Sequence, residues 1–213
     1  LWYRRQRQMC IRDRTILDHV RKKNCWLLAD EVYHRIVYQG NASSSFLSLS
    51  EPEDKLLVIN SSSKSFNMTG WRVGWITHPE YLGEHIAKLV QISTTGVPEF
   101  IQQGFMEALK NHKFLVKEVM KNLHVSRDFV YNKMKHWTKL KINKPESAFY
   151  FFFKSNDAKD SISFCKNLIK KTQVGLAPGV AFGKTGDNFL RLCFAADVKF
   201  LENIVNRLEE EFN

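Results

Sequence analysis

The chain has 213 residues, 44% apolar and 25% charged, with a formal net charge of +10 and 16 Phe and 5 Trp. That much aromatic material can build a sizeable core, which excludes disorder as the main state. No uncharged apolar run approaches the ~20 residues of a spanning helix. The charge suits anionic ligands better than nucleic acid, because Arg4, Arg5, Arg7, Arg12 and Arg14 lie in residues 1–14 and the lysines elsewhere are dispersed.

Residues 1–14 show neither helical nor strand periodicity, and no apolar core follows their arginines as in a signal peptide. They read as a basic arm or as a foreign, misjoined end. From Thr15, the spacing of Ile16, Leu17 and Val20 predicts a helix to Lys23, closed by Asn24. Cys25 to Ala29 is apolar on both faces and predicts a buried parallel strand ending in Asp30. Val32 to Tyr38 continues it, and Gly40-Asn41 turns the chain. Leu56–Ile59 and Val73–Thr77 are two more strands, so an α/β layer is expected. Pro79 opens a helix with Leu82, Ile86 and Leu89 on one face. After Gly96 and Pro98, a long helical region runs through Ile101, Phe105, Leu109, Phe114, Val119, Leu123 and Val130 and ends near Trp137.

The composition then changes. Leu140–Ile142 and Ala148–Phe153 read as strands, Asp160-Ser161 caps a helix, Phe189–Phe194 is a strand and Val198–Phe212 a final amphipathic helix. The expected organisation is therefore a segment 1–14, an α/β part 15–137 and a small α+β domain 138–213. The four cysteines, Cys10, Cys25, Cys165 and Cys193, form no CxxC pair and read as reduced thiols of a cytoplasmic protein. The seven histidines show no HExxH spacing, so no metal site is expected.

Two expected strands end in charged groups, Asp30 and Lys64. Ligands of open α/β sheets sit outside the carboxyl ends of the strands, and a desolvated charge left idle there is costly. Pairing of the two with each other, or capping of the next turn, is the purely structural alternative. Around Lys64 stand Ser61-Ser62-Ser63, and Gly70-Trp71-Arg72-Val73-Gly74 follows. Hydroxyls and a guanidinium can take phosphate oxygens, and an amine beside them can condense with a carbonyl. In Asp30-Glu31-Val32-Tyr33 a carboxylate, read as buried, and a phenol lie three residues apart.

Taken together, these motifs resemble the class I/II aminotransferases, pyridoxal-phosphate enzymes of fold type I. The resemblance implies that Lys64 bonds the cofactor covalently and later moves the substrate proton. It also implies that Asp30 holds the pyridine nitrogen protonated, that Tyr33 binds the ring oxygen and that Ser61, Ser63 and Arg72 hold the phosphate. Pro145-Glu146-Ser147-Ala148-Phe149-Tyr150 is similar to the family's Pro-x-Gly-Ala-Phe-Tyr strand, with Ser147 where Gly is usual. Val174 to Pro178-Gly179 and on to Phe182-Gly183 resembles the loop before the last strand. Arg191, inside Phe189-Leu190-Arg191-Leu192-Cys193-Phe194, then corresponds to the arginine that grips the substrate α-carboxylate, a structural salt bridge being the alternative. His34 reads as a satisfied structural histidine, Cys193 as packing, and Tyr150 to Phe153 as core.

The resemblance runs from about Thr15 to the C-terminus, yet matches only the C-terminal half of such an enzyme. The family's glycine-containing phosphate loop, ring-stacking aromatic and Asn-Pro-x-x-Gly segment have no counterpart here. The expected fold is therefore the C-terminal part of the fold type I large domain plus a small α+β domain. The expected activity is transamination between an amino acid and a 2-oxo acid by a homodimer, the fragment alone being inactive. A pyridoxal-phosphate C–S β-lyase and the aminotransferase-like effector domain of a transcription regulator are the alternatives from other classes.

Overall fold

The N-terminal residues depart from expectation. In the computed structural model, which describes residues 2–40 and 42–213 and side chains from residue 11 onward, one helix, α1, runs Trp2–Lys23. Its Arg, Gln, Met and Lys residues are good helix formers, uninterrupted by Gly or Pro, so the helix propagates without an apolar stripe. Leu1 lies outside the described residues, as does Asn41 of the expected Gly40-Asn41 turn. Asn24, in the left-handed region at φ 52°, closes α1 as expected, with Cys25 N donating to Val20 O at 3.1 Å. Buried Leu17 and the Arg21–Asp54 pair fasten α1: Nε and Nη2 reach the two carboxylate oxygens at 2.7 and 2.6 Å.

Strand β1 (Leu27–Asp30) is parallel to β2 (Leu56–Ser61), in register from Leu27–Leu56 to Asp30–Ile59. A single helical turn, α2 (Ser62–Ser65), follows, and β3 (Gly74–Thr77) returns antiparallel to β2. One face of this sheet is covered: Ala29, Leu56 and Val58 pack with Leu27 and Phe46. The expectation that β1 is buried on both faces fails, because Leu28 is 60% exposed. Val32 to Tyr38 makes turns, with a single bridge residue, rather than continuing the strand.

After a short 3-10 turn at Glu80–Leu82 come α3 (Gly83–Thr94), α4 (Glu99–Lys110) and α5 (His112–Met134). The single helical region expected here is broken at Asn111. Its side-chain amide donates to Glu107 O and Oε1 at 3.0 and 2.7 Å, a local bond that competes with helix continuation. Ile92 and Phe100 are 84% and 74% exposed.

The last part holds β4 (Leu140–Lys141), β5 (Tyr150–Ser155), α6 (Ser161–Thr172), β6 (Ala177–Pro178), β7 (Phe189–Cys193) and α7 (Val198–Phe212). The expected strand–strand–helix–strand–helix order holds, with the two-residue β6 added inside the expected loop. The sheet is antiparallel, in the order β4-β5-β7-β6. Asp160 caps α6, Oδ1 accepting from Ile162 N and Ser163 N. Period-two alternation sends Phe151, Phe153, Leu190 and Leu192 inward, all at most 3% exposed. Phe212 of α7 meets Phe153 edge-on and Phe164 of α6 at a tilt.

Residues 1–119 and 120–213 form two compact units that meet within α5 rather than at the expected 137/138. The C-terminal half of α5 belongs with the second unit: Ser126 Oγ donates to Ala196 O at 2.6 Å, and Arg127 Nη1 to Pro145 O at 3.4 Å. Among the described residues no helix is long and apolar enough to cross a membrane.

Candidate active site

In the first unit, strand direction gathers the chemistry at one end of the sheet. Parallel β1 and β2 finish side by side at Asp30 and Ser61, and β3 begins opposite Ser61 at Gly74. Asp30, the α2 residues Ser63 and Lys64, and Arg72 just ahead of β3 therefore all lie at the carboxyl ends of the parallel pair. A β-carbon on Gly74 would lie 2.8 Å from Asn60 O, so only glycine lets this junction close.

A hydrogen-bonded hub ties the two motif segments together. Val73 O accepts from Ser62 Oγ at 2.8 Å, Ser62 N at 3.2 Å and Ser61 Oγ at 3.4 Å. Thr69 Oγ1 donates to Ser63 O at 3.2 Å. Below the hub, Phe66, Met68 and Val73 form a core with Phe105 and Ala108 of α4. The segment that carries Lys64 and Arg72 thus rests on a helix. Sequence reading singled out Ser61 and Ser63 but missed Ser62, which is fully buried and makes the shortest bond to the hub.

Asp30 differs from expectation: it is exposed, not buried. Alternation along β1 points it to the same open face as Leu28, while Ala29 turns inward. Its Oδ1 accepts from Val32 N at 3.2 Å, and among the described residues Oδ2 has no partner. Tyr33 and Lys64 are half-buried. Ser61 Oγ caps α2, accepting from Ser63 N at 3.1 Å, so both sides of that hydroxyl are engaged within the protein. Ser63 Oγ has no partner among the described residues.

Arg72 sits in the left-handed region at φ 55°, ψ 41°, at a cost of about 1–2 kcal/mol for a residue with a β-carbon. Its Nη1 donates to Thr69 O at 2.9 Å, and the remaining guanidinium donors are unclaimed among the described residues. Among the described residues one carboxylate oxygen, one hydroxyl and most of a guanidinium thus stay available at the end of the sheet that also carries Lys64. His34, with Nδ1 3.0 Å from Glu31 O, is a satisfied structural histidine as expected, and burial holds it below the usual histidine range.

In the second unit, Arg191 shares the open face of the sheet with Phe189 and Cys193, opposite the core residues Leu190 and Leu192. Its guanidinium lies between two rings, 4.4 Å from the Tyr150 centroid and 4.3 Å from that of Phe182. Among the described residues no carboxylate pairs with it. These cation–π contacts do not consume the guanidinium N–H donors, which stay available for an anion. Two expectations for this face change. Phe152 is 45% exposed and stacks on Phe189 at 5.0 Å, so only alternate members of Tyr150 to Phe153 are core. Cys193 is exposed rather than packed.

The family model "Aminotransferase class I and II" matches residues 14–208. The chain belongs to that family. This aminotransferase-family chain is 34% identical, over 91% of its length, to the aspartate aminotransferase of Thermotoga maritima, of which it covers 49%. It is 31% identical to aromatic-amino-acid aminotransferase 2 of Thermococcus litoralis, over 92% of the chain and 51% of that protein. Among solved structures, an aromatic aminotransferase from Pyrococcus horikoshii matches with a TM-score of 0.85 at 30% identity, over 93% of this chain and 54% of that one. The Thermotoga maritima aspartate aminotransferase structure matches with a TM-score of 0.81 at 31% identity, over 93% and 51%. The chain thus spans about half the length of the relatives it matches, and over that half its mixed α/β fold is that of the aminotransferases.

Proposed function

We propose that this chain contributes the lysine-bearing half of a pyridoxal-phosphate-dependent aminotransferase that exchanges an amino group between an amino acid and a 2-oxo acid. One observation carries the reading: groups of Asp30, Ser63 and Arg72 unclaimed among the described residues share with Lys64 the carboxyl end of a parallel strand pair. The donor set fits the cofactor, since it offers a carboxylate for a ring nitrogen, a hydroxyl and a guanidinium for a phosphate, and an amine for an aldehyde. When bound, pyridoxal phosphate supplies an electron sink for charge developing at the substrate Cα.

Each residue then has a task. Asp30 keeps the ring nitrogen protonated by charge pairing, and the Tyr33 phenol donates to the ring oxygen. Ser63 and Arg72 would hold the phosphate by charge-assisted hydrogen bonds. Ser61 would join them once its proton turns from Val73 O, and otherwise supports Ser63 as the cap of α2. Lys64 would bond the cofactor covalently and, once the substrate amine has displaced it from that bond, its freed Nζ would take the proton from the substrate Cα and return it. Arg191 takes the substrate α-carboxylate with the N–H donors its aromatic neighbours leave available. The relatives, named as aminotransferases, favour this reading over a C–S β-lyase or a regulator's effector domain. A cytoplasmic homodimer is the state that the family likeness supports.

The test is borohydride reduction of the 213-residue chain incubated with pyridoxal phosphate, followed by peptide mapping. The pyridoxyl group should appear on Lys64 and vanish in Lys64→Ala. A label spread over surface lysines refutes the assignment.

A further inference from the structure

Gly104 stands in the interior of α4, where glycine is a poor choice because its backbone entropy opposes helix formation. The structure supplies a reason. A β-carbon at position 104 would lie 2.5 Å from Trp71 Cζ3 and 3.1 Å from Cη2, closer than van der Waals contact with the indole ring allows. The ring therefore occupies the space that the missing side chain leaves, and it does so beside Arg72. We propose that Gly104 is a positioning residue for Arg72: the notch it makes in α4 seats Trp71, and that seat presents the Arg72 guanidinium to the cofactor phosphate. This deepens the proposed function and rests on Arg72 being a phosphate ligand.

The local geometry explains how a helix glycine acts on an arginine it does not touch. Trp71 closes a 3-10 turn, Thr69–Trp71, with its N–H donating to Met68 O at 3.1 Å. Arg72 follows in the left-handed region, and its Nη1 donates back to Thr69 O of that turn. On one side of the turn Met68 is buried, on the other Val73, and both pack against Phe105 and Ala108, neighbours of Gly104 on α4. Trp75 adds a ring contact to Phe105 at 5.4 Å. The turn is thus pinned at both ends, and the Trp71 ring is its third point of support. A side chain at 104 pushes the ring off, tilts the turn about Met68 and Val73 and swings Arg72. Trp71 is 44% exposed, so part of its ring stays in solvent, and the seat serves geometry as well as packing.

The phosphate gives the test its discrimination. Dissociation constants of the 213-residue chain are measured for pyridoxal phosphate and for pyridoxal, which lacks the phosphate, by absorbance and by the yield of borohydride-trapped adduct. Gly104→Ala should weaken pyridoxal phosphate by about tenfold, the scale of one charge-assisted bond, and leave pyridoxal unchanged. Trp71→Ala, which adds no bulk and so tests the seat even if Gly104→Ala fails to fold, should lose the same phosphate preference. Trp71→Phe in the Gly104→Ala background, with a smaller ring, should restore most of it. Equal loss for both ligands, or an undiminished preference in either Gly104→Ala or Trp71→Ala, overturns the inference. Arg72→Ala separates this from the reading beneath it. If that variant keeps the preference, or the unmodified chain shows none, the phosphate role of Arg72 fails; if only the Gly104 and Trp71 variants are silent, the positioning role fails.

Discussion

Gly74→Ala probes the junction on which the candidate site is built. The position is the first residue of β3, paired with Ser61, and its backbone is not in the left-handed region, so alanine is conformationally allowed. On chain entropy alone the substitution should stabilise, by about 0.4–1 kcal/mol. The steric effect has the opposite sign. The new β-carbon would meet Asn60 O at 2.8 Å and Ser61 Cα at 3.5 Å, and both are backbone atoms of β2 that cannot rotate away. Overpacking of this kind costs about 1–3 kcal/mol, so the steric effect wins and a net loss of about 1–2 kcal/mol is expected. For a chain of this size that is a fall in Tm of roughly 2–8 °C. Relief by separation of β3 from β2 would also move Arg72 away from Ser61 and Lys64, so trapping of pyridoxal phosphate on Lys64 should fall with Tm. Thermal unfolding followed by circular dichroism, paired with the borohydride assay, measures both. A variant as stable as the parent, or more so, would show that the junction has slack and refute the reasoning.

Two other substitutions test separate links. In transaminating protein, Arg191→Lys should raise KM for both the amino acid and the 2-oxo acid roughly ten- to hundredfold, because lysine keeps the charge but loses the two-pronged edge and the ring stacking. Unchanged kinetics would make Arg191 structural. Asp54→Asn should lower Tm at neutral pH, because the Arg21 guanidinium holds this carboxyl below the usual carboxylate range through two short hydrogen bonds. A depressed folded pKa gives stability that is present above the unfolded value near about 4 and is lost as pH falls through the folded one. The Tm gap between parent and variant should therefore close on acidification, and a gap independent of pH would refute the ion-pair account.

The residues of the site, and the elements that bear them, were legible in the sequence because their signals are local. The apolar run Leu56–Ile59 ending in three serines and a lysine marks a strand with polar groups at its carboxyl end whatever surrounds it. The α7 helix, Val198–Phe212, is set by the 3.6-residue spacing of Leu201, Val205, Leu208 and Phe212, and all four are buried. Asp160 was readable as a cap because capping needs only a side-chain oxygen and the next two or three backbone N–H groups.

Burial and angle were different, since they depend on what packs where. Continuous apolar sequence predicted β1 to be covered on both faces and Asp30 to be buried. Only contacts with Phe46 and the neighbouring strand decide which face closes, and Leu28 and Asp30 fall on the other one. The arginines of residues 1–14 gave no amphipathic signal, yet α1 forms there, since helix propagation needs backbone bonds and tolerant side chains more than an apolar stripe. The use of Val73 O as a shared acceptor and the seat of Trp71 on Gly104 join residues eleven and thirty-three positions apart. Sequence spacing carries no information about such meetings. They follow from the packing of α4 beneath the Lys64–Gly74 segment, which tertiary structure alone decides.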